Sequence, residues 1–282
     1  MTYSEYKARA AALISENSEA TDADNEAVTL ICAVCGKSYA EYLTCRRTSH
    51  LTDEEFAVLE EKVRRRAEGE PLQYVIGEWD FHGLPMYCGK GCLIPRFETE
   101  MLVERAAKVL PRGGRFLELC VGSGCVSAAI LKKRSDISGD GIDISKDALG
   151  YAVRNAERHG VSERLHLAEC DLAEYTPTGK YDVIVSNPPY VKTADVDAFG
   201  GEMKCEPRIA FDGGKDGLMF YRTIISRYKE YLLPGGMFIF EAGYDTAGEV
   251  AGLLRSAGFT EVAVEKDING IDRMITGRLT AK

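Results

Sequence analysis

The tetrapeptide Asn187-Pro188-Pro189-Tyr190 directly follows "YDVIV", the clearest apolar strand in the chain. Neither proline has a backbone N–H, so no donor at positions 188 and 189 competes for the carbonyls at the strand's end. The Asn187 side-chain oxygen and the Pro188 carbonyl can then act as two acceptors for one NH2 group, while Tyr190 offers a flat face to a planar substrate. A planar amine or carboxamide nitrogen fits that set. An amide nitrogen is a poor nucleophile because its lone pair is delocalised into the carbonyl. Acceptors that draw on both N–H groups shift density onto nitrogen and orient its lone pair. Such a nitrogen still requires a strong electrophile, and a sulfonium methyl is one. The bland alternative is a pair of prolines that simply ends a strand.

Other strand ends would have to hold the electrophile. After "FLEL" comes Cys120-Val121-Gly122-Ser123-Gly124, small residues that let a ligand approach backbone, and the helix starting near Gly124 offers free N–H groups. Glycine turns of this kind are common in α/β domains. A dinucleotide fingerprint fits poorly, because Cys120 stands where an early glycine often sits and Ser127 ends the G-x-G-x-x-G/A frame. Asp143, 21 residues after Gly122, ends the next strand, "GID". A carboxylate there can accept from both ribose hydroxyls of an adenosine. Its competing role, capping the following helix, can be filled by Ser145. Asp171 in "AECDL" ends the third strand, where an adenine can lie with Leu172 against its face; a plain turn aspartate is the other reading.

These positions make sense only on a particular scaffold. From Arg115 onward, strand and helix patterns alternate, which indicates a parallel, doubly wound sheet with ligands at the strands' carboxyl ends. Residues 1–70 carry helical signals only. Thr2–Glu5 and Thr52–Glu55 both fit the S/T-x-x-E capping box, and three or four short helices are expected, ending near Gly69 and Pro71. The stretch 71–95, rich in aromatic and β-branched residues with Gly-x-Pro punctuation, reads as a β-hairpin or extended connector.

Composition narrows the function classes. A formal net charge of -9 argues against a dedicated duplex-binding protein, and the basic run "KVRRRAEG" at 62–69 is expected to solvate one helix face. No stretch approaches the roughly 20 apolar residues of a membrane span, and the N-terminus lacks the pattern of a secretory signal. Nine cysteines, an odd number, without an export signal suggest reduced thiols and a cytoplasmic location. Cys32 and Cys35 form a C-x-x-C, but without a second ligand pair they read as core residues rather than a metal site. "GKS" at 36–38 lacks the upstream glycine loop of a phosphate site.

Together the residues resemble S-adenosylmethionine-dependent methyltransferases with an N-P-P-Y motif. More closely, they resemble the HemK/PrmC family of peptide-chain release factor glutamine methyltransferases. The resemblance covers nearly the whole chain, including "LIPRFETEMLVE", "FLELCVGSGCVSAAI", "DVIVSNPPYV", "EPRIAFDGGKDGLMFYRTII" and "DINGIDRMITGRL". N-P-P-Y alone is shared with nucleic-acid methyltransferases; "IPRFETE" and "GGKDGL" are far more specific. The resemblance implies a helical bundle over 1–70 for substrate recognition, a hairpin linker over 71–95 and a Rossmann-like methyltransferase domain over 96–282. It implies S-adenosyl-L-methionine as cofactor, held by Cys120, Val121, Gly122, Ser123, Gly124, Asp143, Asp171, Leu172 and Asn187. Arg96, Thr99 and Glu100 are expected near the cofactor entrance. Asn187, Pro188, Pro189 and Tyr190 are expected to form the pocket for the glutamine of a release factor's Gly-Gly-Gln tip. Phe97 replaces a proline common in the family. A monomer acting on protein, with no nucleic acid or membrane partner, is expected. The alternatives are the same chemistry on a ribosomal-protein glutamine or on a flipped base amine, or a non-catalytic adenosine-nucleotide binder or NAD enzyme, which has no use for N-P-P-Y.

Overall fold

The computed structural model describes residues 1–18 and 20–280. The chain forms two compact units: Met1–Glu78 with Gly200–Cys205, and Trp79–Phe199 with the chain from Glu206 onward.

The first unit holds α1 (Tyr3–Asn17), α2 (Ala23–Cys35), α3 (Tyr39–Cys45), α4 (Asp53–Ala67) and α5 (Leu72–Ile76). Both expected capping boxes form, and Ser38 with Glu41 makes a third. The "GKS" stretch is thus the junction of two helices, with Gly36 left-handed at the end of α2 and Ser38 starting α3. Tyr6, Ile14, Leu30, Ile31, Leu59 and Val63 are buried between the helices. Cys32 and Cys35 are half-buried on α2, and burial pushes both thiols above their ordinary pKa.

Two expectations are corrected here. The basic run on α4 does not stay on one solvated face. Arg64 lies in water, paired with Glu61 and Glu68, but Arg66 is fully buried. Its guanidinium pairs with Glu26 at 2.7 Å and with Glu202 of the 200–205 segment. The stretch after Pro71 is a short helix rather than a strand. Pro71 sits at its N-cap and Gly77, at φ 92°, ends it. The hairpin follows as β1 (Glu78–Phe81) and β2 (Leu84–Tyr87), joined by His82 and Gly83, both at positive φ.

The second unit is built on a seven-stranded sheet. Its elements are α6 (Glu100–Val109), β3 (Arg115–Leu119), α7 (Cys125–Lys133), β4 (Ser138–Asp143), α8 (Lys146–Arg158), β5 (Leu165–Glu169), β6 (Tyr181–Ser186), α9 (Thr193–Asp197), α10 (Met219–Tyr228), β7 (Leu232–Glu241), α11 (Ala247–Ser256), β8 (Phe259–Lys266) and β9 (Asp272–Leu279). The strand order is β5-β4-β3-β6-β7-β9-β8. The first five strands are parallel, but β9 runs antiparallel to both β7 and β8. The parallel pattern gives way there for a simple reason. β8 and β9 are joined by a short turn through Asn269-Gly270, too short for a crossover helix.

Alternate residues of the central strands feed two apolar cores. Phe116, Val183, Val185, Met237 and Ile239 face α6 and α7, while Leu117, Leu119, Ile184, Phe238 and Phe240 face α10 and α11. The sheet reverses direction between β3 and β6, which opens a crevice at their carboxyl ends. Ser186 Oγ donates to the Leu119 carbonyl at 2.7 Å and ties those two ends together.

Removing the buried guanidinium would leave Glu26 and Glu202 facing each other without a cation. Arg66→Ala is expected to destabilise the helical unit by about 2–4 kcal/mol, read from urea unfolding followed by far-UV circular dichroism.

Candidate active site at the carboxyl ends of the strands

The turn after β3 is a run of left-handed residues: Cys120 at φ 60°, Gly122 at 57° and Gly124 at 72°. Cys120 accepts a conformation that disfavours a side chain by roughly 1 kcal/mol, where the sequence suggested a glycine position. Gly124 has no such latitude, because an added Cβ would lie 2.9 Å from Ala152 Cβ on α8. At Gly122 an added carbon would meet no protein atom, so open space is kept above the turn. The Gly122 N–H donates to Asp143 Oδ2 at 2.8 Å, and the Ser145 N–H donates to Asp143 Oδ1 at 2.8 Å. Ser145, not Asp143, caps α8, accepting from the Ala148 N–H at 3.2 Å. Burial raises the Asp143 pKa, and the N–H groups of Ser145 and Gly122 oppose the shift.

Glu118 and Glu241 are buried carboxylates that the sequence does not single out. Glu118 takes an inward position on β3, facing α7, where its neighbours in the alternation are apolar. It accepts from the Ser127 N–H at 2.9 Å and from the Ser127 hydroxyl, and so anchors the first turn of α7 beneath the glycine loop. Burial pushes its pKa up to about 8. The other is Glu241, which ends β7 and is 1% exposed. Thr99 Oγ1 donates to Glu241 Oε2 at 2.6 Å, and the Tyr190 hydroxyl donates to Oε1 at 3.1 Å. Asn187 Nδ2 donates to Thr99 Oγ1 at 3.2 Å. Burial raises the pKa of both Glu241 and Tyr190. The signal for both residues was a lone carboxylate within an otherwise apolar central strand, where both faces are covered.

The "GGKDGL" block seats the Asn-Pro-Pro-Tyr loop. Val191 exchanges backbone hydrogen bonds with Phe211 and Gly213, each at 2.8 Å. A Cβ at Gly213 would lie 2.7 Å from Tyr190 Cα, and one at Gly217 would lie 2.4 Å from the Tyr190 carbonyl oxygen. Both glycines are therefore required by close backbone approach.

A cavity of about 330 Å³ lies in the crevice. It brings together Cys120, Gly122, Asp143, Asp171, Leu172, Asn187 and Pro189, with Ile144 and Phe220 adding apolar wall. Among the described residues, no lysine, arginine or histidine lines it. Val121, Ser123 and Gly124 shape the turn without lining the cavity, and Pro188 and Tyr190 do not line it either. Thr99 reaches Asn187 from its far side. Arg96 is ion-paired to the buried Glu206, which also accepts from the Ile94 N–H at 2.9 Å. Glu100 is not brought to the cavity. It accepts from the His82 N–H at 2.8 Å and lines a separate open groove of about 760 Å³ with Phe97, where Glu104 pairs with both His82 and Lys133.

The strand order, the glycine turn and the crevice define a Rossmann-like methyltransferase domain. A methyltransferase crystal structure from Pyrococcus furiosus shares this fold, with a TM-score of 0.54 at 17% identity, covering 82% of this chain and 100% of that one. The methyltransferase small domain family matches residues 97–203, and the PrmC N-terminal domain family matches residues 7–77. A release factor glutamine methyltransferase from Geobacter sulfurreducens is 43% identical over 81% of this chain and 80% of its own. One from Thermodesulfovibrio yellowstonii is 37% identical over 89% of this chain and 90% of its own. The chain belongs to the release factor glutamine methyltransferase family.

Two predictions follow from this geometry. Gly217, at φ 74°, cannot take a side chain without displacing Tyr190, so Gly217→Ala is expected to cost about 2 kcal/mol or more in denaturant unfolding. For Glu118, the folded state favours the neutral form up to about pH 8. Its contribution to stability is therefore complete below the ordinary carboxylate pKa of about 4.3 and is lost as pH rises through the folded value. Glu118→Gln should flatten the fall in melting temperature between those limits, and an unchanged slope would assign that fall to other groups.

Proposed function

We propose that this protein transfers the methyl group of S-adenosyl-L-methionine to the side-chain amide nitrogen of the glutamine in the Gly-Gly-Gln tip of a peptide-chain release factor. The observation that carries the reading is the setting of Asn187. Its nitrogen is committed to Thr99, which leaves its oxygen as an acceptor on a cavity wall shared with Asp143. The substrate class is supported by the names of the relatives, and the choice of an NH2 group by the chemistry of the Asn-Pro-Pro-Tyr loop.

The cavity suits a cofactor that carries adenosine but no phosphate. Asp143 spends one lone pair of each oxygen on a backbone N–H, and its remaining lone pairs can accept from two ribose hydroxyls. Leu172 and Ile144 supply apolar surface for an adenine, beside Asp171. The open space above Gly122 admits a ligand close to backbone. Carboxylates on a wall that has, among the described residues, no basic side chain favour a positively charged sulfonium and disfavour a pyrophosphate. When bound, S-adenosylmethionine supplies an activated methyl group. Asn187 Oδ1 and the Pro188 carbonyl would accept the two N–H groups of the glutamine, and Pro189 and Tyr190 would confine its plane. No strong base is required before attack, because methylation acidifies the nitrogen and its proton can pass to water. Residues 1–70 would recognise the factor, and 71–95 would link them to the methyltransferase region of a monomeric enzyme.

Labelled S-adenosylmethionine, incubated with purified release factor and with a factor whose tip glutamine is replaced, tests the reading. Label is expected on the intact factor only. Asn187→Ala should lower turnover by roughly 100-fold while leaving cofactor affinity nearly unchanged. Label on the altered factor, or on nucleic acid alone, would overturn the proposal.

A further inference from the structure

An asparagine side chain has two faces of opposite chemistry and nearly the same shape. Its oxygen only accepts and its NH2 only donates. Which face meets the cavity is decided by the partner on the other side. For Asn187 that partner is the Thr99 hydroxyl. A hydroxyl can donate or accept, so Thr99 alone would tolerate either orientation. Its single proton, however, goes to Glu241 Oε2 at 2.6 Å. Only lone pairs then face Asn187, and only Nδ2 can satisfy them.

The strand register explains how these groups meet. β6 and β7 are parallel neighbours with Ser186 opposite Phe240, so Asn187 and Glu241 leave adjacent strand ends at the same level. Both continue the set of residues facing α6, and Thr99 immediately precedes that helix. The Tyr190 hydroxyl occupies the other oxygen of Glu241, so one carboxylate holds both polar ends of the Asn-Pro-Pro-Tyr loop.

We propose that Glu241 is a positioning residue that sets the polarity of Asn187 through Thr99, so that the cavity is offered an oxygen acceptor and the reaction is restricted to substrates bearing an NH2 group. Without the carboxylate, Thr99 is free to donate to Asn187 Oδ1. The amide then turns over and presents its own NH2 to the substrate nitrogen, donor against donor. This inference rests on Asn187 being the acceptor for that nitrogen.

The test uses the full-length enzyme with release factor. Thr99→Ser keeps the hydroxyl, Thr99→Val removes it, and Glu241→Met replaces the carboxylate by an apolar chain of similar length. Thr99→Ser should keep kcat within about threefold of wild type. Thr99→Val and Glu241→Met should each lower kcat by at least about tenfold, with cofactor Kd from calorimetry changed by less than about threefold. The side-chain NH2 signals of Asn187, assigned by their loss in Asn187→Ala, should exchange slowly with deuterium in wild type and Thr99→Ser. In the other two variants exchange should be fast. Either of two results overturns the inference: kcat retained in Thr99→Val and Glu241→Met, or kcat lost while the Asn187 exchange is unchanged. Wild-type turnover in Asn187→Ala would instead overturn the reading on which the inference rests.

Discussion

One carboxylate at the end of β7 sets the arrangement of the site. Glu241 has almost no contact with solvent, yet it receives hydroxyls from Thr99 and from Tyr190. A buried ionisable group is costly unless its lone pairs are met, so the positions of those hydroxyls are mutually constrained. Thr99 lies just ahead of α6, and Tyr190 follows β6. The carboxylate therefore links three stretches that are far apart in the chain. It does so on the protein side of Asn187, leaving the cavity side to a ligand.

The part of the crevice at the ends of β3 and β4 uses the same economy, chiefly with backbone N–H groups. Asp143 gathers the N–H groups of Gly122 and Ser145 and so fixes the glycine turn against the end of β4. Glu118 gathers the N–H and hydroxyl of Ser127 and fixes the start of α7 below the same turn. Three left-handed residues within five positions would otherwise leave this segment free to move. Held this way, the turn keeps an open surface at Gly122 and close packing against α8 at Gly124. Rigidity here matters because displacement chemistry depends on alignment, and small misplacements are expensive in rate.

Legibility in the sequence followed the kind of signal each residue gives. Asn187, Pro189, Gly122 and Asp143 were found because strand ends in an α/β pattern are few and each carries an unusual residue, and all four line one cavity. Glu118 and Glu241 were missed because "RFLEL" and "FIFEAG" read as apolar strands with one tolerated charge. Only the sheet order shows that both faces of β3 and β7 are covered. Glu100 was grouped with the cofactor entrance by resemblance, yet its carboxylate turns to the hairpin at His82. Sequence spacing along a helix start cannot tell that Thr99 faces inward and Glu100 away. The helix at Leu72–Ile76 was hidden by β-branched and aromatic residues, whose strand preference yields to Pro71 and Gly77 at its ends. The antiparallel end of the sheet is hidden in the strand and helix pattern because a strand's direction depends on its connection, and the turn at Asn269-Gly270 is too short for a crossover.

Charge ties the two halves of the crevice together. The chain carries an excess of carboxylates overall, and the cavity wall repeats that bias, with Asp143 and Asp171 and, among the described residues, no basic side chain. A positive methyl donor is favoured in such a field, whereas a polyphosphate ligand or a phosphodiester backbone is not. On the proposed function, a neutral carboxamide would enter the same field without an added charge penalty, and the acceptor set at Asn187 and Pro188 would discriminate by hydrogen-bond polarity rather than by charge. On that reading, charge would select the donor of the methyl group and hydrogen-bond polarity its acceptor. Neither device alone would separate a glutamine amide from a base amine. Together they would, because a base amine arrives attached to phosphates and a protein side chain does not.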